Sequence, residues 1–523
     1  MSIIINKVVK TVFFVTFFSG IERITGFIYR IFLSREIGSE GLGVYQIALT
    51  VFGLLLTVTS SGIPITVSRL MTRYKAEKKD DLVWSSVSSG IFFTLVLSVP
   101  IVIAFFVFQK KLSFLFSDER CIPVLLIVLP GLIITSVYAV IRGSFWGEKD
   151  FVTYSVIELL EEIVMLVLGV ALISLSRDFD SKLTCTAIAV LGSYVFSFVT
   201  SVTVFLSRGK KRVKSPFPTL KPLVTSSVPI TGMRGVSSLV NFLIAVILPL
   251  RLIATGMTNR QAVSLFGTAY GMAIPILFMP STLIGSLAVV LVPELSENYY
   301  KKQTKTLKSN VERALEFSVF ISLVISPVLC AFGKNLGTFF YSSEEAGNYL
   351  SVASYTMLPM SISLISTSML NSLNSERKTL MHYIFGAAFM LLSITILPRF
   401  TGVYSLAIGL FGQFSITAAC NLACLKKKIS LDNDFLVFTG KALIATAPAI
   451  LFGKLLNNAL SAFLPVWATC FIGCGLTCFF ACVPFILIEK SFLSEYLFRK
   501  KKQIQIDKSN RKNNQDNRKN TPF

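Results

Sequence analysis

Three charged residues inside one apolar stretch define the chemistry to be explained. The segment VVKTVFFVTFFSGIERITGFIYRIFL, residues 8–33, is long and apolar enough to cross a bilayer, yet beyond Lys10 at its start it carries Glu22, Arg23 and Arg30 in its middle and second half. A charge at the centre of a membrane helix costs about 3 kcal/mol on insertion scales and normally faces a bundle interior or a wet cavity. Arg23 and Arg30 are seven residues apart, about two helical turns, so both point the same way. Such a face offers a path to something anionic. Arginine suits a diphosphate, because its planar fork makes two parallel charge-assisted hydrogen bonds. Arg234, deep in a later apolar run, and Arg69, at the end of another, are further candidates for the same ligand. Glu22 points roughly 100° away from Arg23 on a helix and is a poor direct partner for it. It is read instead as a gating residue, pairing with another helix.

Other residues supply a possible mechanism for movement. Glu158, Glu161 and Glu162 stand at i, i+3 and i+4 and share a helix face. Carboxylates so placed in a membrane can hold Na⁺ or H⁺, or neutralise a buried arginine such as Arg142. In SSGIPITVSRL, residues 60–70, Gly62 and Pro64 should bend the helix that Arg69 closes, which suits a gate. There is no GxxxxGK[ST], HExxH or CxxC pattern, so no ATP site, metal or other cofactor is expected, and no enzyme chemistry. The single histidine, His382, and the small number of acids argue against a soluble hydrolase. Cys470, Cys474, Cys478 and Cys482 recur every four residues beside glycines and read as a packing stripe.

The elements that must position these side chains are membrane helices. The 523 residues are 53% hydrophobic and only 15% charged, with mean hydropathy +0.69, where a soluble domain is closer to a quarter charged. The net charge of +22 does not mark a nucleic-acid binder, because the basic residues sit in short segments between apolar runs. About fourteen spans are expected: 8–34, 43–67, 84–108, 121–141, 151–176, 183–207, 223–250, 262–292, 311–333, 350–374, 379–398, 402–425, 437–457 and 464–489. With the N-terminus in the cytoplasm, cytoplasmic segments hold 34 of the 50 Lys and Arg and external ones 10. That bias predicts both termini inside. The basic, proline-containing segment 208–221 reads as a linker between an N-lobe (1–207, six spans) and a C-lobe (222–428, six spans). Two more spans follow in 429–489, and the basic, Asn-rich tail 490–523 is expected to be disordered.

An internal repeat supports this division. GVYQIALTVFG (43–53) lies on TAYGMAIPILF (268–278), pairing Tyr45 with Tyr270, and the same offset of 225 pairs Leu70 with Leu295 and Tyr74 with Tyr299. SGIERITG resembles ITGMRGVSS, which pairs Arg23 with Arg234 and predicts that they converge across a central, cationic cavity.

The segments SGIERITGFIYRIFLSREIGSEGLGVYQIA (19–48), SSGIPITVSRL (60–70) and RGSFWGEKDFVTYSVIELLEE (142–162) resemble bacterial polysaccharide-export proteins of the multidrug/oligosaccharidyl-lipid/polysaccharide (MOP) superfamily, and among them the stage V sporulation protein B group. Arg142, Gly143, Phe145 and Gly147 match that group's Arg-Gly-x-Phe-x-Gly pattern. Arg23, Gly26 and Phe27 match the Arg-x-x-Gly-Phe of the related lipid II flippases. The resemblance implies an all-α polytopic, MATE-like fold of two pseudo-symmetric six-helix lobes plus two C-terminal helices. It implies alternating access in the bacterial cytoplasmic membrane and a polyprenyl-diphosphate-linked saccharide as substrate. Lipid II, for peptidoglycan or spore cortex, is the saccharide it points to. An exopolysaccharide or teichuronic-type unit, or a cation-coupled multidrug exporter, are alternatives. Membrane lipids and cell-wall synthases are the implied partners.

Overall fold

The computed structural model describes residues 2–112, 116–207, 214–429 and 434–483. Residues 208–213 of the expected linker and all of the expected C-terminal tail lie outside the described residues, while 217–221 of that linker form the start of a helix; the described residues contain helices and turns and no strand. Helix α1 (Ser2–Ser60) folds back on itself at Gly38, where φ is 64° and ψ −171°. Only glycine adopts that conformation without strain, so α1 supplies two membrane passes. A break at Ser61–Gly62 leads into α2 (Ile63–Ala76), with Pro64 in its first turn, where the missing N–H costs nothing. Then come α3 (Asp80–Leu112), α4 (Cys121–Val128) and α5 (Gly131–Gly147), the last two bent by 42° into one span with Pro130 at the bend. Helix α6 (Phe151–Leu175) is capped by Asp150, whose carboxylate accepts from the Thr153 N–H at 3.2 Å. Helix α7 (Phe179–Ser207) completes the first half.

The second half opens with α8 (Phe217–Ile253), which carries Pro222, Pro229 and Pro249 inside it. The expected single span 262–292 is a broken one: α9 (Asn259–Phe266), a π-helical segment Gly267–Ala273, α10 (Ile274–Phe278) and α11 (Ser281–Tyr300). Proline is the reason, since Pro275 and Pro280 each withdraw an N–H from the ladder. After these come α12 (Thr304–Tyr341), α13 (Glu344–Ala353), α14 (Met357–Ser372), α15 (Glu376–Ile396), the short α16 (Pro398–Thr401), α17 (Tyr404–Ile429), α18 (Asp434–Ser461) and α19 (Val466–Val483). Ten helices are apolar and long enough to span by composition, and the bent pair α4–α5 makes an eleventh. The fold-back in α1, the glutamate-bearing α6 and α18 bring the described passes to the fourteen expected.

Small and hydroxylated residues let these helices touch. Many buried Ser and Thr bond their own preceding turn, as Ser144 does to the Ile141 carbonyl at 2.7 Å and Ser318 to Leu315 at 2.8 Å, which satisfies the hydroxyl within its own helix. One large apolar core joins α1 residues such as Tyr29, Leu33 and Leu42 to Val263, Phe266 and Tyr349 of the second half. Elsewhere the core divides into separate clusters, one around α11, α12, α14 and α17, others around α2, α3 and α5 and around α5, α6 and α7. The two halves therefore meet in the core near Gly38, and again where α8 packs on α2 and α3 through Leu223 and the Ser85–Thr219 hydrogen bond.

A Cβ at Gly143 would fall 2.8 Å from the Pro64 Cα and carbonyl oxygen. Backbone cannot yield there as a side chain would, so Gly143→Ala should destabilise by about 1–3 kcal/mol. Thermal unfolding in detergent measures this, and an unchanged midpoint would contradict the close α2–α5 crossing.

Candidate functional site

Where the two halves part they enclose a cavity of about 2200 Å³. Its mouth lies between the beginning of α1 (Val15, Ser19, Gly20), Glu148 and Lys149 of the α5–α6 turn, and α11 from Ser281 to Ala288. Its floor is Leu33, Leu42, Tyr45 and Tyr270. Arg23 and Arg30 both line it, as their two-turn spacing requires. Arg30 is half-buried and donates to the Gly271 carbonyl of the π-helical segment at 3.3 Å. Arg23 is exposed in the wall. Gly26 lies between them, where a Cβ would stand 3.4 Å from the Glu162 carboxylate.

Arg234 does not converge with Arg23 here. It is exposed on α8 and donates to the Ser61 carbonyl at 2.9 Å, while Thr231 accepts from the Gly62 N–H at 3.2 Å. The break between α1 and α2 leaves backbone groups without helical partners, and α8 satisfies them. Arg69 is also exposed and lies outside the lining. The expected kink at Gly62–Pro64 is present. Its Pro64 packs against Gly143 rather than the cavity.

The expected carboxylate face separates into two roles. Glu158 accepts from Arg142 at 2.9 Å, and the Arg142 guanidinium also lies 5.5 Å above the Trp146 ring and 5.8 Å from Tyr154. Glu161 and Glu162 line the cavity instead. Glu22 is half-buried, outside the lining, within electrostatic reach of Glu158, Glu162, Arg23 and Arg142. The lining is thus of mixed sign, with Arg23, Arg30 and Lys149 against Glu148, Glu161 and Glu162, where the sequence suggested a cationic one. Sequence reasoning missed Gln46, Asn241 and Ser368 as lining residues. The isolated amide of Asn241 in an apolar run was the available signal.

The closed end is held by polar contacts between the halves. Ser39 and Ser264 share a hydrogen bond at 2.7 Å. Arg35 donates to the Phe339 carbonyl at 2.9 Å and the Phe340 carbonyl at 3.4 Å, placing a cation on the orphan carbonyls at the C-terminus of α12. Beside them Arg120 pairs with Glu40 and Asp118, each at 2.6 Å. Burial raises the Asp118 pKa, but the hydrogen bonds from Arg120 outweigh it and hold the group below the ordinary aspartate value.

With this geometry in view, the comparisons with known proteins place the chain. It belongs to the polysaccharide biosynthesis protein family, which matches residues 8–299. It is a MOP-superfamily membrane protein similar to stage V sporulation protein B of Bacillus subtilis (strain 168), 24% identical over 379 residues, 70% of this chain and 73% of that protein. Lipid II flippase MurJ of the same strain is 20% identical over 418 residues, 74% of this chain and 76% of that protein. Among solved structures, lipid II flippase MurJ in an inward closed conformation matches with a TM-score of 0.66 at 14% identity, covering 92% of this chain and 99% of that one. An inward-facing multidrug resistance MATE family transporter matches with a TM-score of 0.66 at 17% identity, covering 78% of this chain and 94% of that one. The fold is accordingly MATE-like.

The Arg142–Glu158 pair yields a stability prediction. Removing one partner strands a charge, so Glu158→Ala should cost about 3 kcal/mol, whereas the double change Arg142→Met with Glu158→Leu should recover most of it. A double-mutant cycle on thermal unfolding checks this. Additive losses would show the pair to be uncoupled.

Proposed function

We propose that the protein flips a polyprenyl-diphosphate-linked saccharide, with lipid II the leading substrate, across the bacterial cytoplasmic membrane by alternating access. The observation that carries this reading is Arg23. It stands on the cavity wall with no hydrogen bond or ion pair among the described residues, one turn-pair from Arg30, whose only side-chain hydrogen bond is the 3.3 Å contact to a carbonyl. Two guanidiniums on one face match the two phosphates of a diphosphate. The cavity of about 2200 Å³ exceeds the roughly 300–1,000 Å³ typical of small-ligand sites and has room for a glycosylated head. In this reading the mouth opens to the cytoplasm, where the charge bias puts the termini and Lys149, and the Gly38 end is outside. Glu161 and Glu162 are the residues to hold a coupling proton or sodium ion. Cell-wall synthases would consume the delivered head.

The second reading, a cation-coupled exporter, draws on the same three lining glutamates. An exopolysaccharide or teichuronic-type unit would use the same arginines, so the saccharide is decided by assay.

Arg23→Ala should abolish complementation of a flippase-depleted strain, with the protein still in the membrane; full complementation would refute the diphosphate site. Lipid II accessibility at the outer surface should rise with the wild-type protein, and no change would point to another saccharide. For topology, Lys149→Cys should be labelled only from the cytoplasm and Lys110→Cys only from outside. Labelling of both from one side would overturn the orientation.

A further inference from the structure

The acceptor of Arg30 and the tightest contact between the halves belong to one seven-residue element, the π-helical segment Gly267–Ala273. At its start, α1 and α9 cross with almost no space between backbones. A Cβ on Gly267 would lie 1.9 Å from the Ser39 carbonyl oxygen, and one on Gly43 would lie 2.1 Å from the Val263 carbonyl oxygen. Each glycine thus covers the carbonyl four residues before the other glycine. The Ser39–Ser264 hydrogen bond spans the same crossing, and its two residues are separated by 225 positions, the offset of the internal repeat. That is the arrangement of a residue and its mate beside a pseudo-twofold axis.

Near its end, the segment offers Arg30 a carbonyl that a regular helix would have used. The α-helical donor to the Gly271 carbonyl would be the N–H of residue 275, which is proline and has none. The backbone there runs in the wider π pattern, with the Ile274 N–H reaching back to the Ala269 carbonyl. Pro275 therefore removes the α-helical donor to the oxygen that Arg30 holds.

We propose that this segment couples cavity occupancy to the outer seal. With the cavity empty, Arg30 ties α1 to the Gly271 carbonyl and keeps the Gly43–Gly267 crossing shut. An anionic head that draws Arg30 away releases the segment, and the crossing parts. The ligand half of this statement rests on the proposed function; the tie between Arg30 and the crossing does not.

The test is a disulfide trap, Ser39→Cys with Ser264→Cys, in the full chain with its native cysteines replaced, reconstituted in nanodiscs. Mild oxidation should cross-link the empty protein readily. Arg30→Gln should lower the yield about threefold, the effect of losing one weak charge-assisted hydrogen bond. Pro275→Ala, which removes no charge, should lower it similarly by supplying Gly271 with a competing N–H. Parental yields in both variants would overturn the tie. Undecaprenyl diphosphate should lower the parental yield and leave that of Arg30→Gln where it is. Lipid that binds, as seen by native mass spectrometry, without changing the parental yield would overturn the coupling. Failure of the lipid to bind, with both variants still lowering the yield, would support the tie and refute the proposed substrate.

Discussion

A guanidinium inside a membrane bundle must be given acceptors, and a helix has few to spare. In hydrocarbon nearly every backbone carbonyl is consumed by its own helix. Arginines can therefore sit only where a carboxylate waits or where the helix is ended, broken or interrupted by proline. This chain uses each option. Arg142 takes Glu158, Arg35 the end of α12, Arg234 the break between α1 and α2, and Arg30 the Gly271 carbonyl, whose α-helical donor would be Pro275. The irregularities of the fold and the arginines bonded to them are one set of features. Arg23 makes no hydrogen bond or ion pair among the described residues, which is the reason the proposed function assigns it to the ligand.

The same constraint shapes the seam between the halves. Contacts at the Gly38 end include glycine crossings, a serine pair and arginine–carbonyl bonds, set beside the large apolar core that joins the halves. A second seam lies where α8 packs on α2 and α3, with Leu223 in their apolar cluster and the Thr231 hydroxyl on the Gly62 N–H. Other apolar clusters lie around α11, α12, α14 and α17 and around α5, α6 and α7.

What could be read from the sequence follows from what hydropathy and spacing encode. The number of passes was legible, even for α6 with its three glutamates, because those residues share one face and leave the rest apolar. The shared orientation of Arg23 and Arg30 was legible from helical period alone. The position of Arg234 was not, because a repeat alignment locates a residue along a helix but not its rotation, and α8 contains three internal prolines. The π-helical segment was hidden as well. GTAYGMA followed by Ile-Pro reads as ordinary membrane helix, and only the neighbouring arginine makes the freed carbonyl useful. The mixed sign of the lining was missed because the glutamates were considered as one cluster, while the fold gives Glu158 to Arg142 and turns Glu161 and Glu162 toward the cavity.

That mixed sign bears on energy coupling. Three basic and three acidic side chains line the empty cavity, so it is close to neutral before any ligand enters. On the proposed reading a diphosphate brings at least one added negative charge per phosphate into a space of lowered dielectric. Arg30 would then face the ligand and leave Glu162, which lies within its electrostatic reach, with less compensation than before. An uncompensated carboxylate in such surroundings takes up a proton or a cation. On that reading substrate entry and ion entry would be linked through charge balance, the ion staying while the head is bound and leaving once Arg30 returns to the Gly271 carbonyl.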